Sequence, residues 1–179
     1  VSLYERAKLR MLNASHSGLA YLGLLRGYET VAEAMADPAL AAFAAGLMDD
    51  LGVESTGAFD PQVYKQTVLR RFRNPHIRHL LSQIAWDGSQ KLPNRIVPYV
   101  LEALQAGGPL ANSARVFAAW FHVLRRKAQA GDKLVDPLAA DLLARAAQAN
   151  GEPAHDTALF LYRSDWNREL LSVGTREFE

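Results

Sequence analysis

Residues 8–16 read KLRMLNASH, and the apolar stretch continues as SGLAYLG to Gly23. Apolar residues recur at helical spacing, so the segment reads as a helix. Within it Lys8, Asn13 and His16 form the pattern K-x4-N-x2-H. At ~100° per residue, with Lys8 at zero, His16 falls near ~80° and Asn13 near ~140°. The three polar groups share one face if the helix runs unbroken through the motif. A base, an amide and an imidazole on one face can together handle a hydroxyl or carbonyl oxygen and its proton. Lys8 and His16 are ~12 Å apart along the axis at ~1.5 Å per residue, so a bridging substrate fits better than direct contact. The residues alone leave a plainer account open: a solvated lysine, an asparagine at a kink and a histidine with its hydrogen bonds met.

Four further helix starts are written as a capping residue followed by proline: Asp37-Pro38, Asp60-Pro61, Asn74-Pro75 and Asp136-Pro137. Asp or Asn accepts bonds from the orphan amides of the first turn, and proline at the first helical position loses no needed donor. These marks predict an all-α, multi-helical single domain spanning residues 1–179. The expected helices run from about Leu3 to Leu25, Thr30 to Ala36, Pro38 to Leu51, Pro61 to Phe72 and Pro75 to Ala85. They continue from Leu92 to Gln105 with a kink at Pro98, then Ala111 to Ala128, Pro137 to Ala149 and His155 to Tyr162. No strand alternation persists, and no repeat or linker divides the chain. Phe117, Trp120, Phe121 and Leu124 form a stripe at helical spacing that reads as core.

The chain has 179 residues, 49% of them hydrophobic and 22% charged, with net charge +1. That balance suits a globular domain and offers no field for nucleic acid or an anionic membrane surface. No cysteine is present, which excludes disulfides, thiolate nucleophiles and Cys-ligated zinc, and fits the cytoplasm. No apolar run approaches the ~18 residues a membrane span requires. No glycine-rich dinucleotide fingerprint and no P-loop occur. The basic clusters Arg70-Arg71-Arg73 and Arg125-Arg126-Lys127 sit where helices are expected to end, complementing the helix dipole. Asp49-Asp50, Glu5 and Glu33 read as solvated surface. His76 and His79 have metal-ligand spacing but no evident third ligand, so they read as surface histidines and no metal is expected.

A second motif lies in residues 73–95, RNPHIRHLLSQIAWDGSQKLPNR. Asp87-Gly88 marks a turn, and Lys91 precedes a helix start expected at Pro93. A lysine at a helix N-terminus opposes the dipole. It is either a solvated loop residue or a contact to an anionic or hydroxyl-rich ligand.

The segments KLRMLNASHSGLAYLG, RFRNP and DGSQKLPNR together resemble the C-terminal domain of the mannitol dehydrogenase family, the polyol-specific long-chain dehydrogenases. That family includes mannitol 2-dehydrogenase and mannonate oxidoreductase (fructuronate reductase). The resemblance is strongest from Tyr4 to Tyr99 and extends more weakly to about Ala149. The final segment, LYRSDWNRELLSVGTREFE, fits it poorly. The resemblance implies a mostly helical substrate domain working with an N-terminal Rossmann-type domain that binds NAD or NADP. This chain carries no such domain, so alone it is expected to hold the proton-transfer half of a metal-independent site. Lys8 matches the family's acid/base lysine. Such a lysine serves as base near neutral pH only if burial or nearby positive charge lowers its pKa from ~10.4. Asn13 matches the asparagine that donates to the reacting oxygen, and His16 the histidine that positions substrate. Lys91 matches a substrate-side lysine. Gln83 stands where some mannitol-specific members carry arginine, which looks closer to the mannonate branch. The implied substrates are a sugar alcohol, ketose or sugar acid. The rival reading is a helical interaction or sugar-binding module without catalysis, which leaves the joint occurrence of the two motifs unexplained.

Overall fold

The computed structural model describes residues 3–56 and 59–161, and among them every regular element is a helix, with no strand beyond two isolated bridges. The first helix is continuous but not uniform. It comprises α1 (Leu3–Ala7), a π-helical segment (Lys8–Asn13) and α2 (Ala14–Leu25). The amide of Ala14 donates to the carbonyl of Leu9, five residues back, where an α-helix would bond four back. The helix ends in a Schellman turn: Gly27 takes φ 82°, and the amide of Tyr28 reaches the carbonyl of Gly23 at 3.0 Å.

Two of the four cap-proline pairs act as expected. Asp37 accepts from the amide of Ala39 at 2.8 Å and starts α4 (Pro38–Asp50). Asp60 accepts from Gln62 at 2.7 Å and starts α5 (Pro61–Phe72). Between α2 and α4, α3 (Val31–Ala36) begins with a capping box between Thr30 and Glu33, so Glu33 is exposed as expected and also caps a helix.

The other two pairs do different work. Asn74 accepts from the amide of His76 at 3.0 Å, closing a local turn. The expected Pro75–Ala85 helix shrinks to α6 (Leu81–Ile84). The chain before it is extended and pairs with residues 29–31, through Val31 N to His79 O and Leu81 N to Glu29 O, both 3.0 Å. Asp136 accepts the amide of Ser89 at 2.9 Å and its hydroxyl at 2.5 Å. It also takes the amide of Leu138 at 2.9 Å. The helix expected at Pro137 therefore starts late, as α10 (Ala139–Ala146).

The expected Leu92–Gln105 helix is two helices, α7 (Gly88–Arg95) and α8 (Val97–Ala106). They are broken at Ile96 (φ −125°, ψ −43°) because Pro98 cannot donate to the preceding turn. The long α9 (Ala111–Ala130) and α11 (Pro153–Leu161) complete the domain.

The centre is α2, which lies against α4, α6 and α9. It feeds Ala14 and Tyr21 into one apolar cluster and Leu19 and Ala20 into another. A helix apolar on most of its faces belongs inside a bundle. Trp120 and Leu124 of α9 are fully buried and Phe117 nearly so, so the aromatic stripe is core. Lys65 is buried too, with Nζ 2.6 Å from both carboxylate oxygens of Asp49, and Asp50 accepts from Asn112 at 2.8 Å. Asp49 is exposed and Asp50 partly so, as the sequence suggests, and both also serve as tertiary partners.

Gly88 shows how the second motif meets this core. A Cβ there would lie 2.5 Å from Trp120 Nε1 and 2.7 Å from Tyr21 Oη. Both rings are buried and cannot retreat. Gly88→Ala is expected to destabilise the domain by roughly 2 kcal/mol through overpacking, read as a lowered urea midpoint.

Candidate active site

The K-x4-N-x2-H residues all lie on the first helix, and the π segment changes their relation. A turn closed by i→i+5 bonds carries residues five apart to the same side. Asn13 is therefore drawn toward the face of Lys8, closer than a uniform α-helix would place it. His16 follows three residues later in ordinary α geometry, on the same side. Lys8 is exposed, while Asn13 and His16 are partly buried.

His16 is set into a pocket made by other helices. Its ring stacks on Phe72 of α5 at 4.9 Å and 17°, and meets His79 edge-on at 5.5 Å. Its Nε2 is fully buried with no hydrogen-bond partner. Burial lowers its pKa first, and the neighbouring His79, Arg95, Arg71 and Lys91 lower it further, from 6.5 to about 4. At neutral pH His16 is an uncharged imidazole.

Lys91 sits inside the first turn of α7, not before a helix start. The helix begins at Gly88, after Asp87 turns the chain at φ 56°, ψ 38°. The amide of Lys91 donates to the carbonyl of Asp87 at 2.9 Å. Its Nζ donates to the carbonyl of Ile84 at 3.1 Å. Burial and then Arg95 push its pKa down, while Asp87 and Asp136 pull it up. Gln83 lies exposed on α6, and among the described residues its side chain bonds to none of the other site residues.

Arg95, one turn beyond Lys91, stands in the quoted motif without a role that sequence reading could give it. Its Nη1 donates to the carbonyl of Asn13 at 3.2 Å and to Ser17 Oγ at 2.8 Å. The Ser17 hydroxyl donates to the same carbonyl at 3.2 Å. Arg95 thereby pins the end of the π segment. His79 and Phe72 were equally invisible as site residues, though RFRNP contains Phe72. His79 is partly buried against His16, so it is not a surface histidine, whereas His76 is exposed. Among the described residues no group of three metal-binding side chains forms.

The first helix carries an exposed amine, a carboxamide and a neutral imidazole, with Arg95 of α7 bonded to the Asn13 carbonyl. Residues 1–169 match the family model described as the mannitol dehydrogenase C-terminal domain. The chain belongs to that family. It is 38% identical over 158 residues to mannitol 2-dehydrogenase of Phaeosphaeria nodorum, covering 83% of this chain and 27% of that protein. It is 41% identical over 153 residues to D-mannonate oxidoreductase of Escherichia coli, covering 83% and 32%. Its fold superposes on Pseudomonas fluorescens mannitol 2-dehydrogenase, solved as a ternary complex with NAD and D-mannitol. The TM-score is 0.80 at 30% identity, covering 93% of this chain and 34% of that one. The chain thus spans about a third of the length of these relatives.

The mannitol dehydrogenase C-terminal match runs further than the motifs alone suggest. It includes α10 and α11 and the first part of the segment expected to fit poorly. Residues 162–179 of that segment lie outside the described residues.

Proposed function

We propose that this chain is the substrate-side domain of an NAD- or NADP-dependent dehydrogenase. The reaction is reversible oxidation of a secondary alcohol in a polyol or aldonate to a ketose or keto-acid. The observation that carries it is the exposed Lys8 at the head of a π segment whose other end presents Asn13, with the neutral His16 one α turn on. π segments inside α-helices concentrate at functional sites.

The described residues hold no strand-to-helix glycine turn and so no dinucleotide cradle. We assign the cofactor to a separate Rossmann-type domain, and the chain's own residues to the proton and the oxygen. In oxidation Lys8 takes the hydroxyl proton of the reacting carbon; in reduction it returns it. The amide of Asn13 donates to the same oxygen and stabilises negative charge there. His16, uncharged, positions a neighbouring hydroxyl, and Lys91 contacts the far part of the substrate.

Tyr4 and Leu9 flank Lys8 and are 61% and 40% exposed. Apolar side chains beside an exposed amine suit a second domain closing over them. No described helix is long and apolar enough to cross a membrane. We place the protein in the cytoplasm on its cysteine-free composition, with no nucleic-acid partner.

The test is NADH oxidation by the full-length polypeptide carrying both domains, with fructose and fructuronate. Turnover of either supports the reading; no turnover of both, with NADH bound, rejects it in favour of a non-catalytic sugar-binding module. Asn13→Ala is expected to lower kcat by about 10²-fold with a smaller change in KM, as for loss of one oxyanion donor.

A further inference from the structure

The helix α7 carries two cations one turn apart, Lys91 and Arg95, and among the described residues no carboxylate bonds to either side chain. Lys91 Nζ bonds only to a carbonyl. Arg95 Nη1 bonds to a carbonyl and a hydroxyl, both neutral, and its Nε and Nη2 make no hydrogen bond among the described residues. Two carboxylates act on Lys91 from a distance, Asp87 and Asp136; neither bonds to its Nζ, and Asp136 is engaged by Ser89 and Leu138.

This arrangement is unfavourable on three counts. Like charges at i and i+4 repel. Lys91 in a first helical turn opposes the dipole. A partly buried guanidinium without a carboxylate loses solvation that its two neutral acceptors return only in part. All three penalties are relieved by one anion between the two side chains. Both cations act on His16, and Arg95 touches the backbone of Asn13, so that anion would lie beside the candidate site.

The geometry points to Lys91 and Arg95 as a carboxylate clamp, which makes the substrate of this site a sugar acid and not a neutral polyol. The inference rests on the dehydrogenase reading above. A hydroxyl can accept one bond from Lys91 or Arg95, but it neutralises neither. A carboxylate takes charge-assisted bonds from both, and Arg95 fixes its plane. Arg95 is then specificity-determining as well as a pin on the π segment.

The test compares D-mannonate with D-mannitol as substrates of the full-length polypeptide, for the parent protein and for Arg95→Gln. The parent is expected to favour D-mannonate in kcat/KM by about 10²-fold. Arg95→Gln should reduce that preference by at least ~10-fold, chiefly through KM for the acid. Preference for D-mannitol, or equal losses on both substrates, overturns the clamp and leaves the dehydrogenase reading standing. If Arg95→Gln does not fold, the parent's substrate preference decides alone. If neither substrate is turned over, the dehydrogenase reading fails, and calorimetric titration of the same protein judges the clamp separately. Tighter binding of D-mannonate than of D-mannitol supports it; equal binding overturns it.

Discussion

Lys8→Ala in the full-length polypeptide is expected to lower kcat by about 10²-fold or more, the usual worth of a positioned acid/base. The fold should tolerate the change, because the Lys8 side chain is exposed and makes no hydrogen bond or ion pair among the described residues. The circular dichroism spectrum and urea midpoint of Lys8→Ala should therefore match the parent within ~0.5 kcal/mol. Unchanged turnover would remove Lys8 from the chemistry.

The domain should lose stability in mild acid, and His16 should carry much of the loss. Its folded pKa of about 4 lies below its ordinary 6.5. Between those values the unfolded chain binds a proton that the folded chain refuses, so stability rises with pH. The contribution is fully present above pH 6.5 and is lost as pH falls toward 4. From the size of the shift, the loss between pH 7 and pH 4 is roughly 3 kcal/mol. The groups that resist the charge surround the ring: His79 at its edge, Arg71 from α5, and Lys91 and Arg95 from α7. Urea unfolding of the parent and of His16→Gln at both pH values measures the effect. The acid-induced loss should be smaller in His16→Gln by about that amount; parallel losses would show that His16 is not held neutral.

Local reading succeeded where the deciding interaction is local. Asp37-Pro38 and Asp60-Pro61 start helices because each carboxylate finds its acceptor role two residues along the chain. Asn74-Pro75 and Asp136-Pro137 are written alike and do otherwise. Asn74 is followed by chain that pairs with residues 29–31, and the carboxylate of Asp136 is taken by Ser89. No property of residues 74–76 or 136–138 signals either competitor. The π segment is similarly silent, since one shifted backbone bond leaves no mark in composition.

The candidate site divides the same way. K-x4-N-x2-H and DGSQKLP carried the family and the residues Lys8, Asn13, His16 and Lys91. They did not carry the pocket. His76 and His79 look equivalent in the sequence, yet only His79 meets His16. Arg95 is one unassigned cation of the second motif until Asn13 and Ser17 arrive beside it. By itself the sequence determined the all-helical class, most helix starts and the polar residues that make the chemistry plausible, because caps and helical periods act within a few residues. Only the tertiary structure decided which of those residues meet, that His16 is held uncharged, and where two cations stand without a bonded carboxylate. Those outcomes depend on burial and on contacts between distant helices, and the free energy of both is set by packing.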